Sequence, residues 1–464
     1  MSELSKNKMS KGLLSVILAL AWPTMLEQLL NTAVQYIDTA MVGTLGTEAT
    51  AAVGSTTTVN WLIGSTVSAI GVGFLAFISQ ALGAGENEKA KRASAQAILA
   101  VLVCGVVFTA LPLLLSGFVP VWMQLEAALR PTASTYFFIL YSTMLFRCAS
   151  IIFGTVLRAA GDTKTPMRVG IAVNAVNVVL NFFFIYPCRT VEGIFIPGFG
   201  LDVIGAAVAS AVAYAVGGIL ITVALFRHKS VSPKGCSVKP DRAILAPCLK
   251  VAFPNALQRF GTSFGYVAFA AMVNSIGGVA TAAHTIANTV ESAFYIPGYG
   301  MQAAAATLAG REYGAKNGEN IDRLGKTMLR IEVLLMIISG GALFLLARPM
   351  VSIFSTDDAV IALGAVVLQM VAVSEPFYGV SIIIEGMMQG MGKTTMPFVT
   401  NILGMWGIRI VGTFICTQIF SLGLVSAWGC MILHNLALFI TFFAYYLSGR
   451  WNPLKNSRKV NKTE

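Results

Sequence analysis

The sequence predicts an all-α polytopic membrane protein with twelve transmembrane helices, arranged as two parallel six-helix repeats around a central cleft. Three observations support this prediction. The 464 residues are 56% hydrophobic and only 11% charged, whereas soluble domains carry about 25% charged residues. Twelve apolar segments are each long enough to cross a bilayer. The second half of the chain also matches the first half at a constant offset.

The apolar segments divide evenly between the two halves of the chain. Those of the first half lie near 13–43, 53–82, 94–117, 132–157, 166–188 and 203–226. Those of the second half lie near 246–276, 285–311, 325–347, 360–389, 397–419 and 423–447. Because the number of spans is even, both termini are expected on the same side of the membrane.

The basic residues indicate which side of the membrane that is. If the termini are cytoplasmic, 26 of the 32 Lys and Arg residues fall in cytoplasmic segments, 3 fall outside and 3 lie within spans. Lys and Arg collect in the cytoplasmic loops of membrane proteins. We therefore expect cytoplasmic termini and a multi-pass protein of the inner (cytoplasmic) membrane. The same bias accounts for the net charge of +11 without a nucleic-acid partner.

The two halves match at a constant difference in residue number. This difference, which equals that between Ala21 and Ala252, we call the repeat offset. "AWPTML" at Ala21 pairs with "AFPNAL" at Ala252, and "LRAAGDTKTP" at Leu157 pairs with "MQGMGKTTMP" at Met388. The register ends at the loop between spans five and six, which is about ten residues longer than its counterpart. Repeats of six spans enter the membrane in the same orientation. The predicted domains are a first lobe (1–226), a cytoplasmic linker (227–245), a second lobe (246–447) and a cytoplasmic tail (448–464).

Motifs for catalysis or for a metal site do not stand out in the sequence. The seven cysteines are scattered without CxxC or His spacing, so neither a disulfide framework nor a metal site is indicated. Neither a nucleotide-binding domain nor a Ser/His/Asp arrangement is recognisable. We therefore expect a protein that is not an enzyme, has no cofactor and acts as a monomer in the lipid bilayer.

The first span carries a polar stripe that ends in a carboxylate. Glu27, Asn31, Gln35 and Asp38 are spaced by four, four and three residues, which places them on one face of a helix. Gln28 and Tyr36 lie beside them in the sequence and are also predicted to belong to the stripe or to line the substrate cleft. Ionisable side chains at membrane depth are expensive, so Asp38 is a functional candidate. A carboxylate surrounded by low dielectric can take up and release protons near the working pH.

Span five runs in the same direction as span one and offers polar partners for this carboxylate. It carries Asn174, Asn177 and Asn181. Asn177 and Asn181 are one helical turn apart and can hydrogen-bond Asp38 in either protonation state. We predict a proton-coupling site of Asp38, Asn177 and Asn181, with Asn174 on the polar lining. The alternative is a polar cluster that only holds the helices together.

The second half has different ionisable residues. Glu291 is a candidate for a second coupling or cation-binding carboxylate, with a structural pairing to Arg259 as the alternative. Glu385 either lines the cleft or pairs with Arg409. Among the aromatic residues, Tyr266 and Tyr378 could line the cleft and attract amphipathic cations. Phe269 lies one repeat offset after Asp38 and is therefore its equivalent in the second half. Because the equivalent residue has no carboxylate, we assign the proton chemistry to the first half.

Several segments together resemble the multidrug and toxic compound extrusion (MATE) family. They include "AWPTMLEQLLNTAVQYIDTAMVGTLG", "QALGAGENEKAKRA", "VLRAAGDTKTPM", "NAVNVVLNFFFIYP" and "GMMQGMGKTTMP". The resemblance implies an essential acidic residue on span one with polar partners on span five. The vibrio- and neisseria-type branch has further acidic residues on spans seven and ten. Here those positions fall on Thr262 and near Tyr378, which weakens a sodium site of that type.

We therefore expect a secondary active antiporter that exports amphipathic, cationic drugs or metabolites in exchange for protons by alternating access. One alternative is a Na⁺-coupled multidrug antiporter. Another is a flippase for lipid-linked oligosaccharides of the same wider superfamily, which would need a strongly cationic cavity, although only Arg147, Arg259 and Arg409 are available. A third is a scaffold or receptor that does not transport, for which the repeat and the acidic residues would be unnecessary.

Overall fold

The computed structural model describes residues 3–122, 125–191 and 194–455, and these residues are mostly helical. Eight α-helices precede the central linker: α1 (Glu3–Gly43), α2 (Thr47–Gly83), α3 (Asn87–Leu115), α4 (Val119–Trp122), α5 (Arg130–Ser142), α6 (Met144–Ala159), α7 (Lys164–Phe184) and α8 (Asp202–Arg227).

Eight more follow it: α9 (Arg242–Asn274), α10 (Gly278–Phe294), α11 (Ile296–Gly314), α12 (Gly318–Ser352), α13 (Asp358–Gly390), α14 (Thr395–Leu403), α15 (Val411–Phe414) and α16 (Leu424–Leu447). The π-helical segment Gly404–Ile410 joins α14 to α15, and a second π-helical segment, Ile415–Ile419, follows α15, so that Thr395–Ile419 is one continuous helical rod. Each of the twelve predicted spans coincides with one helix or with consecutive helices.

Nine helices of the described chain are long and apolar enough to cross a membrane. A tenth span is possible if α5 and α6, which meet at a 47° bend, count as one. Helix α9 and the pair α10 and α11, which occupy the remaining two predicted spans, are not among them. Polar side chains such as Arg259 on α9 lower the apolar character of these helices. Length and composition thus support a polytopic membrane protein.

One element departs from the predicted all-helical fold. Strands β1 (Pro187–Val191) and β2 (Ile194–Phe199) form an antiparallel hairpin. It lies between α7 and α8, in the loop that is longer than its counterpart in the second half. The strands are rich in β-branched and aromatic residues, which favour extended structure. The extra residues of this loop therefore form a small sheet.

The described chain divides into two compact units. The first unit contains Leu26–Ile78 and Asn87–Cys248, and the second contains the chain up to Met25, Ser79–Glu86 and the chain from Leu249 onward. Helices α1 and α2 each contribute to both units. Within the second unit, Phe269 is 1% exposed and belongs to an apolar core that includes Trp428 and Leu343.

Left-handed backbone positions recur at the repeat offset. Such positions favour glycine, which has no Cβ to clash. Three pairs have positive φ angles: Gly46 and Gly277, Gly85 and Lys316, and Gly161 and Gly392. The turns after α1, α2 and α6 therefore repeat after α9, α11 and α13.

Within the second unit, the end of α2 crosses the end of α11 at two glycines. A Cβ at Gly83 would lie 1.9 Å from the carbonyl oxygen of Arg311, and a Cβ at Gly314 would lie 1.9 Å from that of Gln80. The contact is reciprocal, because Gln80 and Arg311 are also separated by the repeat offset. Only glycine allows the two backbones to approach this closely.

Candidate functional site

Asp38 lies on α1 with two asparagines of α7 against its carboxylate. Asn181 Nδ2 donates to Asp38 Oδ1 at 2.5 Å. In the orientation that satisfies both its polar atoms, the Asn177 amide donates to Asp38 Oδ1 and Oδ2 at 2.8 and 3.1 Å and accepts from Ser210 Oγ at 3.2 Å. Both asparagines are buried, and Asp38 is half-buried. The structure thus brings the three predicted coupling residues together.

Other members of the α1 stripe also bond within the first unit. Asn174 Nδ2 donates to Asn31 Oδ1 at 3.0 Å. The pairs Asn31–Asn174 and Asp38–Asn181 have the same separation in sequence, as expected for parallel helices in register. These bonds join α1 and α7 along two turns of polar residues.

The first turn of the stripe forms an ion pair. Arg158 Nη2 donates to both carboxylate oxygens of Glu27, at 2.7 and 2.9 Å. Arg158 lies in the last turn of α6, although its position just past the predicted span indicates a loop. Glu27 lies one helical turn after Pro23 on the polar face of span one. This placement of a carboxylate inside a span was the sequence signal for a cationic partner.

The remaining predicted lining residues of α1 are exposed in the first unit. Gln28 and Gln35 are exposed or partly exposed, and Tyr36 is 39% exposed. Asn31 and Asp38 are hydrogen-bonded to asparagines of α7.

The position equivalent to Asp38 has a different environment in the second unit. The guanidinium of Arg409 lies 4.4 Å from the centre of the Phe269 ring and 4.9 Å from that of Tyr266. Its Nη2 also contacts Met431 Sδ at 2.9 Å. The predicted pairing of Glu385 with Arg409 is not formed, since Arg409 makes cation–π contacts in this part of the described structure.

The predicted acidic residues of the second half are bonded to neutral groups. Glu291 is 4% exposed and accepts a hydrogen bond from Tyr295 Oη at 2.5 Å. Among the described residues no ion pair joins it to Arg259, which is half-buried. The Tyr295 ring packs edge-on against Tyr378 with their centres 5.2 Å apart.

Glu385 is surrounded by three amides. Its Oε1 accepts from Gln258 Nε2 and Gln389 Nε2, both at 3.0 Å, and its Oε2 accepts from Asn401 Nδ2 at 3.3 Å. Gln258 and Gln389 are buried. The three donors come from α9, α13 and α14, so Glu385 ties three helices together.

One further buried acidic residue was missed from the sequence. Glu332 on α12 is fully buried, as is Glu375 on α13, and within the described chain neither carboxyl has a hydrogen-bond partner. A Cβ at Gly298 would lie 2.9 Å from Glu332 Oε1, so the carboxyl fits closely against that glycine. Its place inside the predicted span 325–347 was the signal that could have identified it. A buried carboxylate without a partner is costly in free energy.

The described residues contain no group of three or more His, Cys, Asp and Glu side chains that could hold a metal ion. Asp38 and Glu385 each have amide neighbours. Amide groups can serve a carboxylate as donors and a cation as oxygen ligands.

Comparison with known proteins places these features in a family. The MatE family model matches residues 23–183 and 254–415, and the starts of the two matches are separated by the repeat offset. The chain is 28% identical to the probable multidrug resistance protein NorM of Thermotoga maritima over 94% of this chain and 92% of that protein. It is 22% identical to the multidrug export protein MepA of Staphylococcus aureus over 81% of each chain.

Solved structures share the fold. A crystal structure of MATE in complex with MaL6 superposes with a TM-score of 0.88 at 23% identity, covering 95% of this chain and 97% of that chain. An outward-facing multidrug resistance MATE family transporter of the MOP superfamily superposes with a TM-score of 0.87 at 23% identity, covering 95% and 96%. Since the family model covers most of the sequence and the fold agrees, the chain belongs to the MatE family of multi-pass membrane transporters.

Proposed function

We propose that the chain is a proton-coupled antiporter that exports amphipathic, cationic compounds across the cytoplasmic membrane, with both termini in the cytoplasm. The twelve-span layout in two repeats is part of this proposal. The family membership, the paired matches of the family model and the turns that recur at the same offset support it. The central cleft, the domain boundaries and the monomeric state remain predictions from sequence.

The observation that carries the proposal is the environment of Asp38. Its carboxylate is half-buried, and its partners Asn177 and Asn181 are neutral amides. An ion pair would hold the charge permanently, whereas amides can bond both protonation states. Asn181 Oδ1 is buried without a hydrogen-bond partner in the described structure. Rotation of this amide would let it accept a hydrogen bond from the protonated carboxyl.

This chemistry gives a coupling cycle. Asp38 takes up a proton from outside, loses its charge and exchanges its bonds with Asn177 and Asn181. The loss of charge weakens the attraction for a cationic compound, which leaves to the outside. Rearrangement of the lobes exposes the site inside, where the proton is released. Because the proton and the cation compete for one charge, the two flows are coupled without a nucleotide.

Substrate contact is assigned to exposed polar and aromatic side chains. In the first unit these are Gln28, Gln35 and Tyr36, and in the second unit Tyr266 is 44% exposed. Aromatic rings and a carboxylate attract bulky cations. The names of relatives that are multidrug resistance and export proteins support the export of drugs. In the second half, Glu291 with its tyrosine partner stays a candidate for a second coupling carboxylate.

The test is efflux of a fluorescent organic cation from proteoliposomes, with a proton gradient or a sodium gradient imposed. We expect the proton gradient to drive efflux through the wild type and Asp38→Asn to abolish the coupled component. The matched control is Asp202→Asn, which makes the same change at an exposed residue on α8. Asp202 has φ of 48°, a conformation that Asn also adopts readily.

Each outcome of this test has a definite meaning. Wild-type efflux by Asp38→Asn would refute the coupling role of Asp38. Efflux driven only by sodium would refute proton coupling and favour the Na⁺-coupled alternative. No efflux of any cation under either gradient would leave the flippase or the scaffold as the better function.

A further inference from the structure

Glu27 and three helix positions around it form a cluster in the first unit, and the four positions one repeat offset later form a cluster around Glu385 in the second unit. The pairs are Glu27 and Gln258, Gly154 and Glu385, Arg158 and Gln389, and Gly170 and Asn401. We call these the first-half node and the second-half node. Both nodes lie towards the helix ends that are predicted to face the cytoplasm.

Contacts within each unit support this equivalence. In the first-half node, a Cβ at Gly154 would lie 3.7 Å from Arg158 Nη1, and one at Gly170 would lie 3.4 Å from Glu27 Cγ. The two glycines thus leave room for the ion pair. In the second-half node the four equivalent side chains are joined by the three hydrogen bonds to Glu385.

The two nodes differ in net charge. Glu27 and Arg158 neutralise each other at 2.7 Å. The second-half node keeps one carboxylate, moved to the position of Gly154, and Gln389 replaces the arginine. Among the described residues no Lys or Arg forms an ion pair with Glu385. The side chain of Glu385 is part-buried, and a carboxylate that is partly removed from water without a cationic partner is costly.

We propose that the second-half node binds a monovalent cation at the place that the guanidinium of Arg158 occupies in the first half. The ligands are the carboxylate of Glu385 and the side-chain oxygens of Gln258, Gln389 and Asn401. An amide that turns over about its last torsion exchanges its nitrogen for an oxygen of nearly the same size. Three amides that now donate to Glu385 would then coordinate the cation beside it.

The cation is either an inorganic ion such as Na⁺ or the ammonium head of a substrate. Na⁺ and an ammonium group each carry one positive charge. Carboxylate and amide oxygens can coordinate a hard cation such as Na⁺ and can also accept hydrogen bonds from the N–H groups of an ammonium. The link to transport rests on the proposed antiport function. Cation binding itself does not, because it concerns the second unit and Asp38 is in the first.

The experiment measures thermal unfolding of the purified full chain in detergent. N-methylglucamine chloride, whose cation is bulky, is replaced stepwise by NaCl in one arm and by methylammonium chloride in the other, at constant ionic strength. A ligand that binds only the folded state raises the midpoint temperature of unfolding, and the increase saturates as the site fills. We expect a rise of about 2 °C or more in at least one arm, and the arm that responds identifies the source of the cation.

Two variants test the site. Glu385→Gln removes the charge, and Gln389→Arg supplies the guanidinium that the first half has, so both should abolish the rise. The matched control is Gln418→Arg, at an exposed residue of the same unit, which should retain it. No rise in either arm, or a rise that survives in Gln389→Arg, would overturn the inference.

Asp38→Asn separates this inference from the proposed function. It should keep the cation-dependent rise while losing coupled efflux. If this variant transports normally and keeps the rise, the proposed function is wrong and the cation site stands. If Asp38→Asn loses coupled efflux and the wild type shows no cation-dependent rise, the cation site is wrong and the proposed function stands.

Discussion

Two positions separated by the repeat offset, Asp38 and Phe269, show how the two halves of the chain have diverged. In the first unit the carboxylate of Asp38 is bonded by amides of α7. In the second unit the ring of Phe269 is 1% exposed and packs under the guanidinium of Arg409. One site has a charge with exchangeable neutral partners, and the other has a fixed cation on an aromatic surface. The repeated backbone therefore carries a titratable site in one half and a packing site in the other.

The largest effect that would separate these roles is on stability. We expect Phe269→Ala to lower the free energy of unfolding by about 3–5 kcal/mol, because a large buried ring leaves a cavity. Asp38→Asn keeps the volume of the side chain and should cost much less. Loss of helical signal during SDS titration of the detergent-solubilised protein measures both.

Phe264→Ala is the matched control for this prediction. Phe264 lies on the same helix and is 53% exposed, so its removal leaves no closed cavity. If Phe264→Ala were as destabilising as Phe269→Ala, or if Asp38→Asn were the most destabilising of the three, the assignment of packing to Phe269 would be wrong.

A second prediction concerns what the two halves still share. The crossing of α2 and α11 is reciprocal, so Gly83→Ala and Gly314→Ala should destabilise the protein to a similar extent. We expect about 3 kcal/mol for each, at the upper end of overpacking costs, since the new methyl group would meet a backbone carbonyl at 1.9 Å. SDS titration measures the two variants side by side.

The control for the crossing is Gly341→Ala on α12. A Cβ there would have no heavy atom within 4 Å. Alanine favours the helix over glycine by about 0.5–1 kcal/mol, so this variant should be slightly more stable than the wild type. Unequal losses at Gly83 and Gly314 would argue against a reciprocal contact.

The helices and the Asp38 contacts could be predicted from sequence for a physical reason. Apolar length defines a membrane helix, and the spacing of polar residues places Asp38 and Asn181 on facing sides of two parallel helices. The predicted bonds then depend only on helical periodicity. The partner of Arg409 could not be predicted in this way, because its contact with Phe269 depends on how α9 packs against the segment Gly404–Ile410. The π-helical turns of that segment also change the periodicity.

Other features depended on details that periodicity does not contain. Arg158 falls at the end of its helix, where a shift of two residues in the predicted boundary decides whether the arginine lies in a loop or, as observed, part-buried on the helix. The hairpin β1–β2 requires the loop to fold on itself, which its length alone did not indicate. Glu332 shows that an acidic residue inside a long apolar span can be buried even when no polar stripe accompanies it.

The smallest expected effect concerns the amides of α7. Asn181→Leu removes one donor from the Asp38 carboxylate, and a hydrogen bond to a charged group contributes about 1.5–3 kcal/mol. We expect coupled efflux to fall by about tenfold. Asn174→Leu breaks a bond between two neutral amides, worth about 0.5–1.5 kcal/mol, so its loss of efflux should be smaller. Initial rates of efflux under a proton gradient measure the difference.

The comparison of these two asparagines tests whether the amides of α7 serve the carboxylate or only join two helices. Asn174 and Asn181 each bond α1 and lie two turns apart on the same face. If the bonds only join the helices, the two variants should lose stability and efflux together. If the amides serve Asp38, Asn181→Leu should lose more efflux than Asn174→Leu at equal stability in SDS titration. Equal losses of efflux would contradict the coupling role of Asn181.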